Sequence, residues 1–163
     1  SSIPLVLDAD AVTMLAGDIR AVAAARCPVI LTPHPGEFAA CFGIKVEDVE
    51  EDRLGMAKMA AARLGAIVVL KGAGTVVAAP EGPSAVNLTG NPGMASGGSG
   101  DVLAGIIASL AGQGIPPFQA ACAGVWLHGR AGDLAAAESS QASLIATDLI
   151  DKLPFAFREI SCR

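Results

Sequence analysis

The sequence predicts an α/β layer fold, with helices covering a mainly parallel central sheet, and three observations carry that expectation. Apolar residues fill 52% of the 163 positions while aromatics fill only 4% and tyrosine is absent. Ala, Val, Ile, Leu and Gly suit tightly packed helices on a buried sheet better than an all-β sandwich. Short apolar runs at residues 4–8, 29–31 and 66–70 each end in polar or turn residues, the pattern of buried strands. Finally, a glycine-rich stretch, Asn91-Pro92-Gly93-Met94-Ala95-Ser96-Gly97-Gly98-Ser99-Gly100-Asp101, runs directly into an apolar helical pattern.

Taken in order, residues 4–8 read as an inner strand. A domain that begins there leads us to expect a further N-terminal portion of the sheet outside this sequence, so residues 1–163 read as one partial domain. Asp8 and Asp10 stand at that strand's carboxyl end, where open α/β sheets bind ligands; Asp10 equally suits the cap of a helix over residues 11–15. A helix over residues 18–25 leads to a strand at 29–31. Thr32-Pro33-His34-Pro35-Gly36-Glu37 then makes a rigid turn before a helix reaching Phe42. Prolines on both sides fix where the His34 ring points, for a structural role or a ligand contact, and Glu37 falls in the first helical turn.

The acidic run at residues 47–52 is a solvated helix start. The helix over residues 52–64 should turn Met56, Met59, Ala60 and Leu64 inward and Arg53, Lys58 and Arg63 outward. After the strand at 66–70, Lys71-Gly72-Ala73-Gly74-Thr75 forms a turn, followed by strands near residues 75–79 and 84–87. Lys71 and Thr75 either bracket a plain hairpin or help hold a nucleotide. Helices follow over residues 118–137 and 143–153. Gly129 and Gly132 lie inside the first of these, where each costs about 1 kcal/mol relative to Ala, so a neighbouring backbone is expected to approach closely.

The glycine-rich stretch is the expected working end. The first amides of a helix lack intrahelical partners and carry partial positive charge, so an anion fits there. Glycines at 97, 98 and 100 let the main chain approach a phosphate and permit positive φ. Asp101 reads in two ways, as an ordinary dipole partner or as a general base beside the anion hole. Other motifs do not fit. Gly93 to Gly98 has P-loop spacing, but Ser99-Gly100 follows where Lys-Ser/Thr is required; Ser99 lacks the glycine two residues on that a nucleophile elbow needs; and Gly72-Ala73-Gly74 lacks the last glycine of a dinucleotide fingerprint.

A balance of 11 Lys and Arg against 16 Asp and Glu, net charge -5, offers no field for a polyanion, so nucleic acid is not an expected partner. No apolar run approaches the roughly 18 residues of a membrane helix, and no signal peptide precedes Ser1, so a soluble protein is expected. Cys27, Cys41, Cys122 and Cys162 form no CxxC pair and read as reduced, mostly buried thiols of a cytoplasmic protein.

Five blocks, in succession along nearly the whole chain, carry a resemblance: Leu7-Asp8-Ala9-Asp10-Ala11, Leu31-Thr32-Pro33-His34-Pro35-Gly36-Glu37, Lys71-Gly72-Ala73-Gly74-Thr75, the glycine-rich stretch continuing into Val102-Leu103, and His128-Gly129-Arg130-Ala131-Gly132-Asp133. Together they resemble the ADP- or ATP-dependent NAD(P)H-hydrate dehydratases, the YjeF C-terminal domain of the ribokinase-like superfamily. The resemblance implies a three-layer α/β/α fold and a homo-oligomeric repair enzyme. It would return the (6S) hydrates NADHX and NADPHX to NADH and NADPH by phosphorylation and elimination, using ADP or ATP with Mg2+. It implies that Asp101 contacts the hydrate as base, that His34 binds the hydrate, and that Gly97, Gly98, Ser99 and Gly100 meet the nucleotide phosphates. Lys71, Gly72, Ala73, Gly74 and Thr75 match the adenine-nucleotide segment, and Glu37 stands where related sugar kinases organise magnesium through water. The family usually has Asn where this chain has Thr13. The competing readings are a ribokinase-like small-molecule kinase and an inactive, truncated nucleotide-binding module.

Overall fold

The computed structural model describes residues 3–161. Unbroken runs of Val, Ile and Leu build short strands, β1 (Leu5–Leu7), β2 (Val29–Leu31) and β3 (Ile67–Leu70), which pair in parallel in the registers Val6↔Ile30 and Leu31↔Val68. β4 (Val76–Ala78) and β5 (Ser84–Val86) follow as antiparallel neighbours, completing a mixed sheet in the order β1-β2-β3-β4-β5.

Because successive side chains in a strand point to opposite faces, the sheet feeds two cores. Val29, Leu31, Val68 and Leu70 pack with Phe38, Ala57 and Leu64 from α3 (Pro35–Phe42) and α5 (Arg53–Leu64). Ile30, Ile67 and Val69 pack on the other face with Leu103 and Ile107 of α6 (Ser99–Gly112) and Ala121 and Val125 of α7 (Pro117–Glu138). These are the three layers. A third cluster, including Ile106, Leu127, Ala131 and Ala156, joins α6 and α7 to α8 (Ala146–Ser161) on the outside. Each large apolar side chain buried this way contributes about 1.5–3 kcal/mol.

Several sequence expectations change at element level. Asp10 is the first residue of α1 (Asp10–Met14), and its carboxylate makes no capping bond; Ala9 stands at the cap with φ 49°, the one positive-φ residue other than glycine among those described. α2 (Arg20–Ala23) is shorter than expected. The acidic run forms α4 (Val46–Glu51). Met59 of α5 is exposed, while Arg53 turns inward. α8 continues beyond Leu153 through Pro154, where the forfeited bond falls on the carbonyl of the exposed Ile150, within reach of water.

Cys27, Cys41 and Cys122 are free and half-buried rather than fully buried, and Cys162 lies outside the described residues. Burial raises the pKa of the Cys41 and Cys122 thiols. No helix among the described residues is long and apolar enough to cross a membrane.

Candidate active site

Three strand ends and one helix mouth meet on the carboxyl side of the parallel strands. At the end of β1, Asp8 accepts a hydrogen bond from the Lys71 ammonium at 2.6 Å, and Lys71 itself closes β3. Lys71 also lies 3.8 Å from the Glu37 carboxylate, which follows β2. Both Lys71 and Glu37 are mostly buried. A charge-assisted pair in such surroundings is stronger than a surface one, so the three strand ends are electrostatically stitched together.

His34 takes a structural role through Nδ1 and keeps Nε2 on an exposed edge of the ring, beside Glu37. It is the N-cap of α3: its Nδ1 accepts hydrogen bonds from the amides of Gly36 at 3.0 Å and Glu37 at 3.2 Å, while the Glu37 carboxylate accepts from the His34 amide at 2.7 Å. This reciprocal cap satisfies the helix's first donors. With Nδ1 accepting, the neutral ring must carry its hydrogen on Nε2, which lies 3.4 Å from Glu37 Oε1 on a side chain that is 56% exposed. The ring can therefore offer one outward donor to a ligand.

The Lys71-Gly72-Ala73-Gly74-Thr75 turn closes on itself. The Thr75 hydroxyl donates to the Gly72 carbonyl at 3.0 Å and accepts from the Gly72 amide at 3.3 Å. Beneath it, the Arg53 guanidinium donates to the carbonyls of Leu70 at 3.1 Å and Lys71 at 2.8 Å, and Glu50 holds the other end of that guanidinium at 2.9 Å. Gly72 has φ 143° and lies over Arg53, so a side chain would be excluded there on both counts. Arg53 supports the turn from below. Sequence periodicity assigned it to solvent, and nothing in its local pattern signals that it folds back under the turn.

At the helix mouth, Gly98 caps α6 with φ 85°, the one glycine of the three at 97, 98 and 100 whose backbone requires glycine. The Ser99 amide bonds to the Ser96 carbonyl and the Val102 amide to the Gly98 carbonyl. The amides of Gly100 and Asp101 make no hydrogen bond with the described chain, so they are the free donors of this helix end. A Cβ built at Gly100 would lie 3.5 Å from Lys71 Nζ and 3.6 Å from Asp8 Oδ2, which brings the helix mouth directly against the strand-end cluster. The Ser99 side chain is buried, facing His128 with Oγ 3.2 Å from Nε2; its hydroxyl is turned away from the mouth.

Asp101, the next residue around the helix, is exposed at the head of a groove of about 470 Å³ between α6 and α8, lined by Ile106, Leu110, Ile150, Leu153 and Phe157. Gly100 thus faces the Lys71–Asp8 pair and Asp101 an apolar groove. A phosphoryl group held by the two free amides could meet a hydroxyl lying in the groove, with the Asp101 carboxylate in position to take its proton. Among the described residues no group of three or more His, Cys, Asp and Glu gathers as a metal site. Glu37, already engaged by His34 and Lys71, suits a water-mediated contact better than direct ligation.

The loop leading to this mouth is held by α7. Asn87 donates to the Val125 carbonyl, Thr89 to the Trp126 carbonyl, and Asp133 accepts from the Gly90 amide at 3.0 Å and the Asn91 side chain at 3.1 Å. Gly129 lies against the Thr89 backbone, the close approach its place in the helix leads one to expect, whereas Gly132 meets the Met94 side chain rather than a backbone.

Layers of helices on both faces of a mixed sheet, with a glycine-lined helix mouth opposite three strand-end turns, define a ribokinase-like protein, a fold the chain shares with solved structures of that superfamily. Within that class, the family model for NAD(P)H-hydrate dehydratase matches residues 1–155, and the chain belongs to this family. It is 52% identical over 133 residues to the ADP-dependent (S)-NAD(P)H-hydrate dehydratase of Neisseria meningitidis, covering 80% of this chain and 45% of that protein. To the bifunctional NAD(P)H-hydrate repair enzyme Nnr of Moorella thermoacetica it is 50% identical, over 97% of this chain and 30% of that one. The solved ADP/ATP-dependent NAD(P)H-hydrate dehydratase of Bacillus subtilis, co-crystallized with ATP/Mg2+, superposes with a TM-score of 0.87 at 39% identity, covering 96% of this chain and 55% of that one. The chain therefore spans about half or less of the length of these proteins.

Proposed function

We propose that this chain carries the nucleotide side of a site that dehydrates (6S)-NADHX and (6S)-NADPHX to NADH and NADPH at the expense of ADP or ATP. The observation that carries the reading is the pair of free amides at Gly100 and Asp101, set between the Lys71–Asp8 pair and the apolar groove. The amides receive the transferred phosphoryl group, and Gly97 and Gly98 leave the approach clear. The Lys71 to Thr75 turn supports the adenine nucleotide. Asp101 takes the proton from the hydrate's hydroxyl as its oxygen bonds to phosphorus and the nucleotide leaves one phosphate shorter. Phosphate then departs from the nicotinamide ring with the carbon–oxygen bond's electron pair, the ring loses a proton, and the double bond is restored. His34 donates from Nε2 to the hydrate. Glu37 would hold magnesium through water, where the ion would offset phosphate charge.

A cytoplasmic location and a homo-oligomer, in which residues 1–163 form part of one domain, belong to the same proposal.

The chain is incubated with NADH hydrate, magnesium and ADP or ATP, and the reduced-nicotinamide absorbance followed. Its recovery supports the proposal. A phosphorylated product without recovery favours a ribokinase-like small-molecule kinase, and nucleotide binding with neither favours a nucleotide-binding module. In the active protein, Asp101→Asn is expected to lower turnover by about two to four orders of magnitude with nucleotide affinity nearly unchanged. Equal loss of both would make Asp101 structural.

A further inference from the structure

A glycine-rich segment keeps one shape only if something outside it holds it, since ordering each backbone residue costs on the order of 1–2 kcal/mol and glycine gives up most. At the α6 mouth the outside support includes one side chain whose family block the proposed chemistry leaves without a role. His128 of α7 places Nε2 2.9 Å from the Ser99 carbonyl oxygen and 3.2 Å from the Ser99 hydroxyl. A carbonyl only accepts, so Nε2 carries the hydrogen. The ring is largely buried, and burial, reinforced by the Lys71 charge and opposed by the Ser99 bond, lowers its pKa to about 4. It therefore offers the mouth a donor without a competing positive charge.

The Ser99 carbonyl and the Gly100 amide belong to one peptide unit, which is planar and trans, so holding the oxygen sets the direction of the N–H. That N–H is one of the two free donors at the mouth. We infer that His128 is a positioning residue: by gripping the Ser99 peptide from α7 it aims the Gly100 amide at the anion and steadies the first turn that carries Asp101. Its neighbours extend the grip along the same helix, with Gly129 seating Thr89, Gly132 seating Met94 and Asp133 tethering Gly90 and Asn91. The connection of this grip with nucleotide rests on the function proposed above; the grip itself does not.

The test compares the 163-residue chain with His128→Leu, which removes the donor, His128→Gln, whose amide can replace it, and Arg130→Ala, a change on the same helix as His128 that breaks the ion pair with Glu159 of α8. Two quantities are read: hydrogen exchange at the Val102 and Leu103 amides of the first turn, and affinity for ADP and ATP by calorimetry. His128→Leu is expected to speed exchange and weaken nucleotide binding each by about tenfold, the scale of one lost hydrogen bond. His128→Gln should restore both to within about threefold, and Arg130→Ala should move neither. Unchanged exchange in His128→Leu overturns the inference, as does His128→Gln behaving like Leu, or Arg130→Ala reproducing the Leu result. If His128→Leu does not fold, His128→Asn, with an amide too short to reach Ser99, takes its place under the same outcomes. Should the unsubstituted chain bind neither nucleotide while first-turn exchange still follows residue 128, the proposed function fails and the positioning role stands.

Discussion

The two glycine turns at this site are built in opposite ways. The Gly72–Thr75 turn satisfies itself across three residues, with Thr75 bonding both polar groups of Gly72 and Arg53 bracing the strand end below. The segment from Asn87 to Ser99 instead depends on α7, through bonds that reach 29 to 43 residues along the chain. A self-closed turn survives loosening of its surroundings, whereas a borrowed one opens with them. One site therefore combines a part set by local chemistry with a part set by how well a distant helix docks.

The largest expected break in this contrast comes from acid. His128 has a native pKa of about 4 against an ordinary 6.5. Between those values the unfolded chain binds a proton that the native chain refuses, so the stabilisation is whole above about pH 6.5 and is lost as pH falls toward 4, amounting to about 3 kcal/mol. Denaturant unfolding at pH 7 and pH 4 should show this loss in the unsubstituted chain and not in His128→Gln. Next in size is Gly129→Ala. Its new Cβ would stand 2.7 Å from the carbonyl carbon and oxygen of Thr89, so despite better helix propensity the chain should lose about 2 kcal/mol. Gly105→Ala, in open space on α6, should gain up to about 1 kcal/mol by the same denaturant unfolding at pH 7. Smaller again, Thr75→Val removes the turn's own bonds and should cost about 1 kcal/mol, with first-turn exchange in α6 unaltered.

The same contrast decides what the sequence made legible. Strand positions, the α6 start at the glycine stretch and the rigid turn that sets His34 before a helix with Glu37 in its first turn all follow from residues close together in the chain. So does the Thr75 turn, although its hydroxyl is spent inside the turn. Arg53 was unreadable because helical periodicity describes where a Cβ points, and a long guanidinium stem can still travel back to a carbonyl. The Lys71–Asp8 pair joins residues 63 apart, a meeting that only parallel strand order creates. Gly129 and Gly132 did leave a trace: glycines tolerated inside a helix at a propensity cost mark what must come near. His128 left none that separates a grip on Ser99 from a direct ligand role.

Ala9 adds a different lesson. Immediately after Asp8 its backbone sits at φ 49° and ψ -121°, a region that residues with a Cβ rarely occupy. Ala9→Gly should therefore raise the melting temperature, by the equivalent of somewhat under about 1 kcal/mol, while letting the Asp8 carboxylate wander from Lys71 and weakening nucleotide affinity. A sturdier protein with a looser strand-end cluster is the outcome to look for, and selection for thermal tolerance alone would be drawn toward that exchange.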